Sequence, residues 1–484
     1  MDYIAGAWSA TTVELPRWNR NPNNDQPIQP QKATTDADLE RALQTAWELH
    51  QSRQWANTPI AERIAYLHQM ADWLEQRVPE IAAIEAFSTG ITLNTSTLVN
   101  FITHITFRAA AQMLESGGTH TTLPGEFGPV DVLRKPLGPA ACIAPWNAPA
   151  PLAAHKVANA IAAGCPAILK PSEYAPYSAI FLAQAAAAVG LPAGVLQLVH
   201  GGGDVGAKLV SDGRIRCVSF TGGLTGGRAV AQACAHDFKP MQLEMGGNNA
   251  LIVLEDAHLE QTAAGIVAGL TTLNGQWCRA LGRLLVHESV QNELLEITMD
   301  RLAQVKIGDS MSPESQMGPL IHGRHKQLME TAVAHYQQLG GQIHQSTPLP
   351  NLPGQFFPPT LITGVAPEAT LEETFGPVAT VHPFRSDAEA IQLANQVPYG
   401  LGGYVFSQDE EHARRIGRQL ETGDVKINGV GLIGLHPMAP RPAWKLSGFG
   451  QEGTAETFYF FTGTSVVGIA HRENVMRENV MRDA

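Results

Sequence analysis

The sequence predicts an α/β protein built as two α/β lobes, and three observations carry that expectation: the length, an alternation of short apolar runs with alanine-rich stretches, and a restart of that alternation midway. The chain has 484 residues, too many for one hydrophobic core, so two or more sub-domains must share them. Hydrophobic residues make up 44% and charged residues 16%, the balance of a globular interior rather than of a disordered or fibrous chain. From Ala140 onward, the runs Ala140–Ala144, Ala167–Leu169, Val195–Val199, Cys217–Phe220 and Ala250–Leu254 alternate with helical segments such as Ala179–Val189. That alternation reads as βαβ units in a parallel sheet. After Gly246 the pattern restarts, with Leu259–Leu273 as a helix, Arg283–His287 as a strand and Gln291–Gln304 as a helix.

The remaining elements follow from local patterning. Asp36–Ala56 and Ile60–Ala86 place apolar residues at three- and four-residue spacing, so the first hundred residues read as helical, with Thr35 or Asp36 as an N-cap. Thr119–Pro136, centred on Gly125–Pro129, reads as a hairpin that needs another sheet to join. Ser465–Ile469 is the last strand candidate, and the repeated pentapeptides Arg472–Met476 and Arg477–Met481 read as a frayed helix or a flexible tail.

Charge and cysteine usage narrow the function. A net charge of −12 disfavours nucleic acid as a partner, since a polyanion needs a basic surface. Met1–Ala10 carries Asp2 and no basic region ahead of an apolar run, so no secretory signal is expected. Pro and Gly interrupt Ala140–Pro145 and Ile161–Leu169 too early for a membrane span. The five cysteines are widely spaced and lack C-x-x-C pairs, which argues against a disulfide scaffold or a zinc ribbon; no metal site is expected, and the cytoplasm is the expected compartment.

Two residues stand out for chemistry. Cys278, in Asn274-Gly275-Gln276-Trp277-Cys278-Arg279, has polar, aromatic and cationic neighbours, whereas the other four cysteines sit among Ala, Ile and Val. Local context leaves it either a small buried hydrophobe or a nucleophile whose thiolate a positive potential would enrich. Glu244, in Gln242-Leu243-Glu244-Met245-Gly246-Gly247, is either a helix-capping carboxylate or a general base.

Order and spacing decide between these. Pro145-Trp146-Asn147, Leu169-Lys170-Pro171-Ser172-Glu173, Phe220-Thr221-Gly222-Gly223, Leu243-Glu244-Met245-Gly246-Gly247, Gly275-Gln276-Trp277-Cys278, Glu373-Thr374-Phe375-Gly376-Pro377 and Lys445-Leu446-Ser447-Gly448-Phe449-Gly450-Gln451-Glu452 occur in that sequence. Over nearly its whole length the chain resembles the NAD(P)-dependent, hydrolytic branch of the aldehyde dehydrogenase superfamily, in which the base precedes the nucleophile as Glu244 precedes Cys278, by 34 residues. The resemblance implies a Rossmann-like cofactor domain (residues 1–118 and 137–243), a second, catalytic α/β domain (244–446), a small β oligomerisation element (119–136 and 455–470) and a tail (471–484). It also implies self-association to a dimer or tetramer.

The resemblance assigns roles position by position. Cys278 is the nucleophile, Glu244 the base that activates the hydrolytic water, and Asn147 with the backbone N–H of Cys278 the oxyanion hole; by itself Asn147 also fits a turn ahead of Pro149. Lys156 and Glu452 match a proton relay, or else are surface charges. Cofactor positions are Ile143, Pro145, Trp146, Lys170, Ser172, Glu173, Gly203, Phe220, Thr221, Gly222, Gly223, Gly227, Gly246, Glu373 and Phe375. Glu173 leans towards NAD over NADP, because a 2′-phosphate would meet a like charge.

Three departures are visible. Asn248 and Asn249 follow the paired glycines where relatives carry a lysine, and Leu273-Asn274-Gly275 is one residue shorter than the usual loop. Pro440-Arg441-Pro442-Ala443-Trp444-Lys445 replaces a P-F-G-G-x-K segment. Substrate positions are then Ala148, Leu152, His155, Trp277, Arg279 and Arg441. The expectation is an aldehyde bearing a carboxylate or other polar group gripped by Arg441 or Arg279, unless both arginines make structural ion pairs. A CoA-acylating enzyme and a catalytically silent homologue are the rival readings.

Overall fold

The structure, a computed structural model, describes residues 1–470; the expected tail, 471–484, lies outside the described residues. Two largely parallel sheets form the frame. Across the first, the strand order is Ala7–Ser9, Asp2–Ile4, Leu196–Leu198, Ala167–Lys170, Ala140–Ile143, Cys217–Thr221, Met241–Glu244 and Gly448–Phe449. The five from Leu196–Leu198 to Met241–Glu244 pair in parallel, and the outer ones join antiparallel. Strands buried on both faces are mostly apolar, which is why these read as short apolar runs, with Lys170, Gln197, Ser219 and Thr221 as buried polar exceptions.

Strand order determines where a ligand can sit. The chain builds outward from Ala140–Ile143 to Leu196–Leu198, then returns to add Cys217–Thr221 on the other side of Ala140–Ile143. This reversal opens a crevice beyond the carboxyl ends of those two strands, the usual ligand position in such sheets.

The second sheet runs Gln342–His344, Thr360–Thr363, Val378–Phe384, Leu281–His287, Asn249–Val253, Gly402–Phe406 and Asp424–Ile427. All its neighbours are parallel except Gln342–His344. Residues 245–248 carry the chain from the first sheet into the second, and residues 428–447 bring it back to Gly448–Phe449. Segments entering the second sheet, 278–280 before Leu281–His287 and 373–377 before Val378–Phe384, therefore meet the carboxyl edge of the first.

A separate antiparallel sheet joins Thr462–Gly468 to Val130–Pro136 and His120–Leu123, so the hairpin and the C-terminal strand do pair. Leu123, Val466 and Val467 are exposed on it. Among the described residues no helix is long and apolar enough to cross a membrane.

Two expectations about the N-terminal region need correction. Helical periodicity over Ile60–Ala86 belongs to two helices, Ile60–Glu75 and Val78–Thr89, broken at Gln76 and Arg77. Pro79 explains the break: in the first turn of a helix it loses no hydrogen bond, whereas inside one it removes a bond and clashes. Four strands, Asp2–Ile4, Ala7–Ser9, Val13–Arg20 and Pro27–Ala33, precede the first helix; the two longer ones are polar and proline-bearing, with little apolar alternation. The first helix spans Asp36–Ser52, and Thr35 caps it by accepting the Asp38 N–H at 3.0 Å.

Candidate active site

The crevice is a cleft of about 690 Å³. Ile143, Pro145, Trp146, Asn147, Lys170, Ser172, Glu173, Phe220, Thr221, Gly222, Gly223 and Glu244 line it from the first sheet, Gly203 from a flanking helix, and Gly246, Cys278, Glu373 and Phe375 from the segments entering the second. Of the expected cofactor positions, only Gly227 is absent from the wall. A Cβ there would strike the Met245 sulfur, so this glycine lets the helix Leu224–His236 pack against the strand's end.

Gly223 caps that helix and opens its N-terminal N–H groups, with their partial positive charge, to the cleft. A Cβ on Gly222 would come within 2.6 Å of the Phe220 ring, and one on Gly226 within 2.9 Å; the bare backbone keeps this corner open. Lys170 donates to the carbonyls of Pro171 at 2.8 Å and Gly201 at 2.7 Å. At the other end, Glu373 accepts the Gly247 N–H at 2.8 Å, and burial pushes its carboxyl up to about 8. Phe375 adopts φ 52°, and its ring meets Trp146 edge-on at 5.4 Å. His325 holds both: its ring lies 5.5 Å from Trp146 and its Nε2 is 2.8 Å from the Phe375 carbonyl. Sequence reasoning missed His325, which lies 50 residues away with no motif around it.

The nucleophile loop is strained and heavily anchored. Leu273 and Asn274 hold left-handed φ of 49° and 57°, and Gly275 follows at 72°; such a conformation costs roughly 1–2 kcal/mol for each non-glycine residue. Asn274 offsets it by donating to the carbonyls of Gly90 (2.8 Å) and Pro319 (2.9 Å) while accepting the Gly318 N–H (2.8 Å). Gln276 accepts the Ile321 N–H. Asn249 donates to the Cys278 carbonyl at 3.0 Å and the Ala280 carbonyl at 2.8 Å, and Asn248 donates to the Thr370 carbonyl. Asn249 thus ties the start of the second sheet to the nucleophile segment, and Asn248 ties the linker to the segment ahead of Glu373.

Glu244 ends its strand with Oε1 buried and without a hydrogen-bond donor among the described residues. Burial, reinforced by Glu452, pushes its pKa up to about 7. Burial and then Glu244 raise the Cys278 thiol. Behind Glu244, Lys156 lies 3.3 Å from Glu452 and donates to Ser219 Oγ at 3.0 Å, all three residues buried. Burial alone would raise Glu452, but Lys156, His155 and Arg441 hold it down at about 2. Lys156 and Glu452 are therefore not surface charges.

Among the expected substrate positions, only Leu152 lines the cleft. Ala148 and Trp277 pack in an apolar cluster with Ile91, Val99, Leu273 and Ala280, flanked by Leu152, Val430 and Leu432. The indole N–H of Trp277 donates to the Gly269 carbonyl, so the ring is turned into that cluster. His155 meets Thr457 Oγ1 at 2.9 Å, and burial lowers it to about 4, so it is neutral. Arg441 lies 4.0 Å from Glu452. Arg279 lies 3.3 Å from Asp424 and 4.0 Å from Glu244. Both arginines face protein carboxylates.

A thiol, a carboxylate with one oxygen lacking a donor, and a primary amide sharing one cleft can perform nucleophilic acyl chemistry. Comparisons agree on the class. The profile of the aldehyde dehydrogenase family matches residues 12–467. The chain is 34% identical over 465 residues to peroxisomal aminoaldehyde dehydrogenase 1 of Malus domestica, covering 93% of this chain and 92% of that one. It is 39% identical over 328 residues to a non-phosphorylating aspartate-semialdehyde dehydrogenase of Halomonas elongata, covering 66% and 65%. The crystal structure of betaine aldehyde dehydrogenase from Staphylococcus aureus in complex with NAD+ superposes with a TM-score of 0.91 at 30% identity, covering 96% of this chain and 94% of that one. With the family profile spanning nearly the whole chain, this protein belongs to the aldehyde dehydrogenase family.

Proposed function

We propose that the protein oxidises an aldehyde to a carboxylic acid with NAD+, through a thioester on Cys278 that Glu244 hydrolyses. The observation that carries this reading is the buried, donor-free Glu244 Oε1 in the same cleft as Cys278: a carboxylate oxygen so placed is satisfied by a water molecule, which it can then deprotonate. Its pKa near 7 suits a general base at neutral pH.

The residues fit a dinucleotide. Gly222 and Gly223 at the helix N-terminus would face the pyrophosphate, Lys170 and Glu173 the adenosine ribose, and Glu373 the nicotinamide ribose. Glu173 disfavours a 2′-phosphate by like charge, so NAD is preferred over NADP. A dinucleotide held there would supply, through its nicotinamide, an acceptor for the hydride that leaves the aldehyde carbon.

The chain's own residues do the rest. Cys278 releases its thiol proton to solvent and its sulfur forms a bond to the carbonyl carbon, moving an electron pair onto the oxygen. The Asn147 amide and the Cys278 N–H stabilise that oxygen, each such donor being worth roughly 3 kcal/mol. After hydride loss, water adds to the thioester, its proton goes to Glu244, and the C–S bond breaks to free the acid. Lys156 and Glu452 carry that proton away from Glu244.

At positions 279 and 441 the cations already face Asp424 and Glu452, so neither supports a dedicated grip on a substrate carboxylate. Leu152 and its apolar neighbours support an aldehyde with an uncharged chain near the carbonyl. The exposed sheet of Thr462–Gly468, Val130–Pro136 and His120–Leu123 serves as an oligomerisation element, since its apolar edge is best buried in another copy.

The test is NADH formation across a panel of alkyl aldehydes, aminoaldehydes and semialdehyde acids. Turnover without added thiol is expected, with alkyl aldehydes at least matching semialdehyde acids of equal length. Product release that needs CoA would replace hydrolysis with acyl transfer.

A further inference from the structure

Arg279 follows the nucleophile directly and is fixed at both ends. Its guanidinium Nη1 lies 3.9 Å from Cys278 Sγ and 4.0 Å from Glu244 Oε1, and its Nε lies 3.3 Å from Asp424 Oδ1. Its backbone carbonyl accepts the Tyr404 hydroxyl at 2.7 Å. Gly402 makes room for the stem, since a Cβ there would come within 3.4 Å of Arg279 Cγ. Asp424 begins the edge strand Asp424–Ile427, which pairs with Gly402–Phe406, so the anchor belongs to the sheet rather than to a loop. One cation therefore stands between nucleophile and base.

We propose that Arg279 is a catalytic residue: anchored by Asp424, its guanidinium stabilises the Cys278 thiolate for attack and, once the sulfur is acylated and neutral, keeps the Glu244 carboxylate ionised for hydrolysis. This rests on the aldehyde-oxidising reading above. The physical argument is charge balance in a dry site. Burial penalises both anions, and they repel each other, so neither forms readily without a neighbouring cation. The groups facing the pair are Arg279, Glu452, Lys156 and Glu373, with Asp424, Tyr404 and Lys426 around Arg279 itself. Arg279 is the foremost of them favouring either anion. A planar guanidinium can face two acceptors at once while a third holds its stem side. Asp424 keeps the cation from collapsing fully onto Glu244.

The test follows alkylation of Cys278 by iodoacetamide, read at the peptide by mass spectrometry, against pH in wild type, Arg279→Gln, Arg279→Met and Arg279→Lys. The neutral variants are expected to move the alkylation midpoint up by about one to two pH units and to slow the reaction at pH 7 by about 10- to 100-fold. Arg279→Lys is expected to recover most of the loss. Having two neutral variants of different shape guards against one failing to fold, which circular dichroism checks. Coincident profiles in wild type and a folded neutral variant overturn the proposal. Because alkylation needs no aldehyde, a wild type that oxidises none would sink the functional reading separately.

Discussion

Glu244 closes the strand Met241–Glu244, so its side chain arrives at the carboxyl edge of the first sheet, facing the segment that carries Cys278 into the second. Burial raises its pKa to about 7, and a base works only when ionised, so kcat for a substrate limited by hydrolysis is expected to rise with pH through about 7 and to fall below it. A stopped-flow pH profile of the steady-state phase measures this; a rate flat between pH 5.5 and 8 contradicts it. At this scale the ordered motifs singled out Cys278, Glu244 and Asn147, and all three line one cleft. The sequence was less legible for Arg279 and Arg441. A cation's role depends on which carboxylate it meets, and Asp424 and Glu452 lie 145 and 11 residues away in the chain.

The loop ahead of Cys278 turns through a kink before it presents the nucleophile. Three successive left-handed residues, 273–275, make that kink, and Asn274 supplies the hydrogen bonds that hold them. Replacing Asn274 with Ala leaves two carbonyls and one N–H without partners in a buried place, at about 3 kcal/mol in all. Asn274→Ala should therefore lower the urea midpoint and slow thiol alkylation together; a stable, fully reactive variant would show that the anchors are dispensable. Strands of the parallel sheets were legible as apolar runs, and the helix break at Pro79 was hidden because the apolar periodicity continues across it. The N-terminal strands escaped notice because Asp2–Ile4 and Ala7–Ser9 have only three residues each, while Val13–Arg20 and Pro27–Ala33 are polar and carry proline.

At the scale of the whole molecule, two sheets joined by residues 245–248 put the carboxyl edge of one against entering segments of the other. Neither sheet alone contains both halves of the site. This arrangement was expected from resemblance, and no periodicity argument reaches it, because the strand order depends on crossovers that leave no local trace. The exposed strand Thr462–Gly468 carries the corresponding assembly prediction: if it forms the proposed oligomer contact, Val466→Lys with Val467→Lys, at positions 64% and 53% exposed, should reduce the mass in solution by like-charge repulsion while leaving circular dichroism unchanged. Light scattering reads the mass, and an unaltered mass would place the interface elsewhere.

The division of labour between Cys278 and Glu244 is tested most directly by mixing Glu244→Gln with NAD+ and an accepted aldehyde, then quenching and weighing the intact protein. A burst of about one NADH per site, followed by turnover slowed about 10²- to 10⁴-fold, should accompany an acyl adduct that maps to Cys278. Turnover at the wild-type rate, or a burst that leaves Cys278 unmodified, would contradict the account.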